Sequence, residues 1–370
     1  MVVIFGLLAL AGVWAAGQAL GGKPSTVKVD VGVRPAAEVP QSTKIRFHSD
    51  NPIIGLGDLS EFGAWNDPCV LKVPDGYVMY LTSNRSKAAD SPVEPYRAVS
   101  ADGFQWRLDP SGPLLRVDGT SYIKLETPHV VEYEGQFHMY LSAVYPEGQV
   151  PTMAIVHARS SDGVTWQFSN GGKPVISATG KLADWNGYTV AEPGAVVFND
   201  QIHLYFSAAG ARPGGKPPIL QTIALARSRD GTTFDRPQIV LRQSDLFPPE
   251  RGYVGYSTPS PLVIEGRVHL FYDVAHHQNG RIPEWLQVAL HHARSTDGIH
   301  FDQDPVVLAK QHGAPWLASE VRSPSVLLEG SVLRLWFAGH GERGEVLRQL
   351  TERRGRLFGI GYAELDLPDL

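Results

Sequence analysis

The chain has 370 residues, 43% of them hydrophobic, and a formal net charge of −5 at pH 7. This hydrophobic fraction is sufficient for a packed core, and the lack of a basic excess argues against a nucleic-acid partner. The single cysteine, Cys69, excludes an internal disulfide. Its place one residue after Pro68, in a predicted inner strand, favours a buried and unreactive thiol.

The N-terminal residues 2–20 form an apolar run in which Gln18 is the one clearly polar side chain. Together with the small residues at 15–17 and 19, this run predicts a signal peptide, and therefore an exported protein, periplasmic or extracellular. No Lys or Arg precedes the run, so a retained membrane anchor is the alternative, because a span needs about 20 residues. Residues 21–42 are predicted to form a linker, and residues 43–370 the folded domain.

A pattern of about 65 residues then recurs five times. Each copy has a proline that opens an apolar stretch, and an aromatic residue twelve positions later ends the next predicted strand. The five pairs are Pro68 with Tyr80, Pro128 with Tyr140, Pro193 with Tyr205, Pro259 with Phe271, and Pro324 with Trp336. Such periodicity indicates a repeat architecture, and short alternating strands between turn signals predict an all-β fold. We therefore predict a five-bladed β-propeller.

The third copy shows the predicted strands, which cover residues 195–198, 201–208, 223–227 and 238–241. A Ser-x-Asp-Gly turn follows the third strand in four copies, at Asp102, Asp162, Asp230 and Asp297. Its Asp and Gly suit a structural turn. The fifth copy lacks a fourth strand, whereas residues 51–54 carry the matching pattern. We therefore expect an N-terminal strand to complete the last blade and close the ring, which would remove an exposed sheet edge.

The long connections of the predicted propeller all lie on one face, for example at 82–95, 208–222, 274–286 and 339–358. Because binding residues concentrate in long loops on a rigid scaffold, the central funnel on that face is the expected site. Strand one of every blade begins there, and the residues just before the repeat prolines include Asp67, Glu126 and Glu192. Hydrolysis of a glycosidic bond needs two carboxylates that flank the bond.

The sequence resembles the five-bladed propeller glycoside hydrolases of families 32, 43, 62, 68 and 117 over roughly residues 45–370. Asn66-Asp67-Pro68 looks like their Asn-Asp-Pro signature, and Ala191-Glu192-Pro193 resembles the Glu-Cys-Pro that carries the general acid. The resemblance implies that Asp67 is the nucleophile or general base and that Glu192 is the general acid. It implies a carbohydrate substrate and no cofactor.

Blade two departs from this pattern, because the expected Asp before its proline is Thr127. Glu126 lies one position earlier, where a regular strand points the side chain to the opposite face. We predict that Glu126 orients or tunes the site if the strand start is irregular. Otherwise Glu126, like Asp67 and Glu192, would only bond the backbone at strand ends.

Other upper-face residues are candidates for substrate binding because aromatic rings stack on sugars and polar groups bind hydroxyls. The candidates are Trp65, Arg85, Trp185, His277, Trp285, Arg322 and His340. No metal site is predicted, since the histidines lack a metal-binding spacing.

Three hypotheses remain. The first is an exported glycoside hydrolase. The second is a carbohydrate-binding propeller without catalysis, which the change at Thr127 favours. The third is a glycan phosphorylase or transferase on the same scaffold, which would require an Arg and His cluster for phosphate. Fold alone does not decide among them.

Overall fold

The computed structural model describes residues 44–61, 63–86, 91–212, 215, 217–277, 285–306, 314–352 and 355–370. Strands dominate these residues, which confirms the predicted all-β class. The predicted signal peptide or anchor at 1–20 and the linker at 21–42 lie outside the described residues. In the part of the chain that is described, no helix is long and apolar enough to span a bilayer.

Each repeat contributes strands in the predicted order, and the ranges are as follows. Two N-terminal strands are Arg46–Phe47 (β1) and Ile54–Leu56 (β2). Repeat one has Asn66–Val73 (β3), Gly76–Asn84 (β4), Val93–Ser100 (β5) and Arg107–Leu108 (β6). Repeat two has Lys124–Tyr133 (β7), Gln136–Val144 (β8), Met153–Ser160 (β9), Gln167–Phe168 (β10) and Ile176–Ser177 (β11). Repeat three has Thr189–Phe198 (β12), Gln201–Ala211 (β13), Ile219–Ser228 (β14) and Gln238–Leu241 (β15).

The last two repeats complete the set. Repeat four has Tyr253–Ile264 (β16), Arg267–His277 (β17), Trp285–Ser295 (β18) and Asp302–Gln303 (β19). Repeat five has Glu320–Glu329 (β20), Val332–His340 (β21) and Gly355–Asp366 (β22), with the helix Arg343–Glu352 (α1) between the last two strands. Short 3-10 turns occupy Ser169–Gly172, Pro249–Arg251, Pro315–Leu317 and Leu367–Asp369.

The strands pair antiparallel within each repeat. Repeats three and four form separate four-stranded sheets, whereas repeats one and two are joined into one sheet by a single parallel pair, Val93 with Lys124. The fifth sheet contains β20, β21 and β22 together with β1 and β2. Apolar side chains of adjacent repeats pack between the sheets. Cys69 is buried in one such cluster with Met139 of repeat two, and burial raises the pKa of its thiol to about 12.

The two N-terminal strands pair with the last strand of the chain. Arg46 lies opposite Glu364, and Ile54 lies opposite Ile360. Between these pairs, the Asn51 side chain bonds the backbone of Tyr362 twice, donating from Nδ2 and accepting at Oδ1, each at 2.9 Å. The start of the described chain is therefore fastened to its end over both strands.

The repeat aromatics connect each repeat to the turn of another. Tyr80 donates its hydroxyl to the Gly163 carbonyl at 2.9 Å, and Trp336 donates its indole N–H to the Gly103 carbonyl at 3.1 Å. Tyr140 and Tyr205 make the same contact with Gly231 and Gly298, both at 2.8 Å. Each acceptor is the glycine of a Ser-x-Asp-Gly turn, so both sequence signatures meet at the contacts between repeats.

Candidate active site

The five residues that precede the repeat prolines share one unusual backbone conformation. Their φ angles lie between 43° and 54°, in the left-handed region. These residues are Asp67, Thr127, Glu192, Thr258 and Ser323. In every repeat, strand one carries one extra residue relative to strand two at this point, which is a β-bulge. A non-glycine residue in this region is strained by about 1–3 kcal/mol, and such strain concentrates at functional sites.

These bulges bring the strand starts of all five repeats to one pocket. Asp67, Thr127, Thr258 and Ser323 line it together with the five repeat prolines and His129. The bulge also explains the spacing that sequence periodicity could not resolve: a regular strand alternates its faces, whereas one extra residue changes which side chain points to the pocket.

Asp67 is held at the pocket by two hydroxyl groups from different repeats. Thr82, on the second strand of repeat one, donates to Oδ2 at 2.8 Å. Ser323, from repeat five, donates to Oδ1 at 2.9 Å. The carboxylate is almost fully buried. Both oxygens therefore have a fixed orientation, which is what a group that must attack or activate a fixed atom requires.

Glu192 differs from Asp67 in its electrostatics. Its backbone N–H donates to Ser142 Oγ at 2.7 Å, and its side chain keeps 16% of its surface exposed. Burial raises the pKa of Glu192 to about 7, with further increases from the negative charges of Asp273 and Asp67 and a partial decrease from Arg322. A carboxyl group with this pKa still carries a proton near neutral pH, which a general acid needs.

Arg322 supplies the positive charge of the site. Its Nη2 lies 3.8 Å from Glu192 Oε1. Burial lowers the pKa of its guanidinium, but the charges of Glu320, Asp67, Glu192 and Asp273 raise it further, so the arginine stays charged. Among the described residues its buried Nε has no hydrogen-bond partner.

His340 lies in a second layer behind Arg322. Its Nδ1 is 2.7 Å from Glu320 Oε2, and its ring stacks on Phe358 with centroids 4.3 Å apart. Burial opposes ionisation of Glu320, yet the hydrogen bond with His340 holds the pKa of that carboxyl below its usual value. His340 Nε2 is buried and has no partner within the described residues.

Blade two supplies neither carboxylate that acts on Glu192. Thr127 occupies the pocket position and hydrogen-bonds Ser142. Glu126 forms an ion pair with Lys124, with Oε1 and Nζ 3.2 Å apart. The like charges that raise the pKa of Glu192 come from Asp273 and Asp67, so the tuning role predicted for Glu126 has a different bearer.

The remaining candidates are placed away from the pocket lining. Trp65 is 1% exposed and packs edge-on against Tyr96 in the core. Arg85 pairs with Glu94 and Asp118. Trp185 and Trp285 pack against two different hydrophobic clusters, and His277 lies opposite Trp285 at the end of β17. The structure thus brings together Asp67, Glu192 and Arg322, with His340 behind them.

Sequence reasoning missed Asp273. It lies two residues after the repeat aromatic Phe271, on strand two of repeat four, and is fully buried. The equivalent residues of the other repeats are Thr82, Ser142, Ser207 and Ala338. A comparison of this column would have found it, because Asp273 is its one charged member.

Comparison with known proteins finds likeness among solved structures. No family model matches the chain, and no curated protein matches it. A complex of BT0996 and RGII has a TM-score of 0.64 at 16% identity and covers 84% of this chain and 90% of its own. The β-1,2-mannobiose phosphorylase from Listeria innocua, in complex with β-1,2-mannobiose, has a TM-score of 0.61 at 11% identity, covering 88% and 97%.

A third structure is Zg3597, a family 117 glycoside hydrolase produced by the marine bacterium Zobellia galactanivorans. It has a TM-score of 0.55 at 17% identity and covers 88% of both chains. At such identities the likeness shows the fold alone. It confirms, at that level, the expected resemblance to the propeller glycoside hydrolases.

Proposed function

We propose that this protein is a glycoside hydrolase whose reaction takes place in the pocket between Asp67 and Glu192. The observation that carries the proposal is the pairing of two different carboxyl groups at one pocket. Glu192 has a pKa raised to about 7, and Asp67 is fixed by hydrogen bonds from Thr82 and Ser323. Two carboxyl groups in environments that separate their proton affinities are the usual basis for acid and base roles.

In this mechanism, Glu192 donates its proton to the oxygen of the leaving sugar as the glycosidic bond breaks. Asp67 either attacks the anomeric carbon or removes a proton from the attacking water, depending on the separation of the two carboxyl groups in the substrate complex. Arg322 and His340, whose buried nitrogens Nε and Nε2 lack partners among the described residues, are proposed to bind the sugar that undergoes cleavage.

The charge of the pocket argues against a phosphorylase. Arg322 is surrounded by the carboxylates of Asp67, Glu192, Asp273 and Glu320. A phosphate ion would enter this negative surrounding with one arginine to attract it, and like charges at short distance repel. Water is the acceptor that fits better.

We also propose that the five repeats are the blades of one propeller, closed by the N-terminal segment. The support is the pairing of β1 and β2 with β22. Removal of residues 1–56 should abolish cooperative thermal unfolding, because the last sheet would lose two strands. Removal of residues 1–43 is the matched control and should leave the transition in place. A cooperative transition in the shorter chain would contradict closure.

The location of the protein is part of the same proposal. The apolar N-terminal run would direct export to the periplasm or the outside of the cell, where carbohydrate polymers are available, either with cleavage or as a membrane tether. Fractionation of cells that express the full chain, compared with a chain lacking residues 2–20, tests the proposal. Equal distribution of both chains would contradict it.

The direct test of function is a glycan panel assayed for release of reducing sugar. Because neighbouring structures are complexes with RGII and with β-1,2-mannobiose, these glycans come first in the panel. We expect release by the wild-type protein in phosphate-free buffer and none by Glu192→Gln. Release that depends on added phosphate would indicate a phosphorylase. Binding without release from any glycan would indicate a binding protein.

A further inference from the structure

One buried carboxylate of the pocket region has no role in the mechanism above. Asp273 has no solvent exposure. At the equivalent position, repeats one and two have hydroxyl groups, Thr82 and Ser142, each bonded to the pocket residue of its own repeat. Burying a carboxylate where a hydroxyl would serve is unfavourable unless the charge is compensated. The position of Asp273 therefore calls for a functional reason.

The contacts of Asp273 link two repeats to the site. The hydroxyls of Ser257 and Thr258 donate to its two oxygens, and the backbone N–H of Ser323 donates to Oδ2 at 3.1 Å. Ser323 in turn donates its hydroxyl to Asp67 Oδ1 at 2.9 Å. An unbroken chain of hydrogen bonds thus runs from Asp273 through Ser323 to Asp67.

The charges that face this group come from several elements. Glu192 on β12, Asp67 on β3, and Arg322 and Glu320 on β20 surround the pocket together with Asp273 on β17. The neighbours of Asp273 on β16 and β18, Ser257, Thr258 and Leu290, carry no charge. Asp273 is therefore close enough to act on Glu192, and Arg322 is the cation between the carboxylates.

We propose that Asp273, from repeat four, is the positioning carboxylate of this site and takes the part that Thr127 leaves without a carboxylate in repeat two. It holds Ser323, and through it Asp67, and its negative charge keeps the proton on Glu192. The inference rests on the proposed hydrolase function for its catalytic meaning. The geometry alone carries the effect of Asp273 on Glu192.

The experiment measures the proton on Glu192 without any substrate. The protein is labelled with ¹³C at the glutamate carboxyl carbon, and the signal of Glu192 is assigned by its loss in Glu192→Gln. In the wild-type protein we expect a midpoint near the pKa of about 7. Asp273→Asn removes a like charge, so the midpoint should fall by about one unit, within the range for a nearby charge.

Two further variants make the test specific. Asp273→Ser introduces the residue that repeats two and three have at this position, and it should shift the midpoint in the same direction should the Asn variant fail to fold. Glu126→Gln is the control, because Glu126 is paired with Lys124, and it should leave the midpoint unchanged. An unchanged midpoint in the folded Asp273 variants, or an equal shift in Glu126→Gln, would overturn the proposal.

The pH dependence of kcat/KM on the glycan that the panel identifies gives the second readout. Loss of the charge at Asp273 lowers the pKa of the acid, so the alkaline limb should move to lower pH, whereas a merely structural role would lower the rate without moving the limb. If the NMR midpoint shifts but no glycan is cleaved, the hydrolase proposal fails and the effect of Asp273 on Glu192 stands. If cleavage occurs and the midpoint does not move, the reverse holds.

Discussion

Acidic side chains occur both in the Ser-x-Asp-Gly turns and in the pocket, and their surroundings act on them in opposite ways. In the first turn, Asp102 Oδ1 accepts hydrogen bonds from the N–H groups of Phe104 and Gln105, both at 2.8 Å. The bond from Gln105 contributes most, and together the bonds lower the pKa of Asp102. In the pocket, burial and like charges raise the pKa of Glu192 to about 7.

The difference teaches that function is not carried by the acidic residue type but by its surroundings. Backbone donors in contact with water stabilise the ionised form, whereas burial beside other carboxylates stabilises the protonated form. The four turn aspartates recur with the repeat, as expected for a structural part. The pocket acids occur in some repeats and are replaced by hydroxyls in others, as expected for a site that needs different groups at different points.

The largest effect that separates pocket from turn concerns activity. Asp67→Asn should lower kcat/KM by about 10²–10⁴-fold, because it removes the carboxylate that attacks or activates water. The matched turn variant, Asp162→Asn, should keep the wild-type kcat/KM on the same glycan. A loss of less than about tenfold for Asp67→Asn would be too small for the assigned role, and an equal loss in both variants would remove the distinction between pocket and turn.

A smaller effect concerns stability against pH, and its sign is opposite in the pocket and in the turns. The pKa of Glu192 is raised from 4.5 to about 7 in the folded protein, so the folded state binds the proton more tightly and loses stability as pH rises between these values. Glu192→Gln should therefore gain stability relative to wild type over that range, on the order of 2 kcal/mol. Denaturant unfolding at pH 4 to 8 measures the gain.

The turn variant provides the contrast for that measurement. Hydrogen bonds from Thr165 and Val164 lower the pKa of Asp162, so its stabilising contribution is present above the ordinary value of 3.8 and is lost as pH falls below it. The stability difference between wild type and Asp162→Asn should therefore be constant from pH 5 to 8 and shrink in acid. The same trend with pH in both variants would contradict the opposite surroundings.

The sequence predicts the repeat and much of the strand pattern. In repeat three, the predicted second and fourth strands begin at Gln201 and Gln238, as they do in the structure. The strands near the pocket are longer than predicted, since β12 begins at Thr189 and not at residue 195. The reason is the bulge between Ala191 and Gly194, which interrupts the two-residue alternation that signals a strand.

The site is only partly accessible from the sequence. Asp67, Glu192 and Arg322 precede repeat prolines and can be aligned with each other, so the repeat itself points to them. Asp273 contacts them through the second strand of another repeat, and such a contact depends on how the sheets are arranged around the pocket. Trp65 shows the converse, because a tryptophan before the first site residue is equally compatible with sugar stacking and with the core position that it has.

The measurement that tests the account most directly compares two leaving groups in Glu192→Gln. A 4-nitrophenyl glycoside leaves as a stable phenolate and needs little protonation, whereas the oligosaccharide leaving group needs a general acid. The account predicts that Glu192→Gln lowers kcat/KM on the oligosaccharide by about 10²-fold or more and lowers it much less on the 4-nitrophenyl glycoside of the same sugar. Equal losses on the two substrates would contradict the assignment of Glu192 as the general acid.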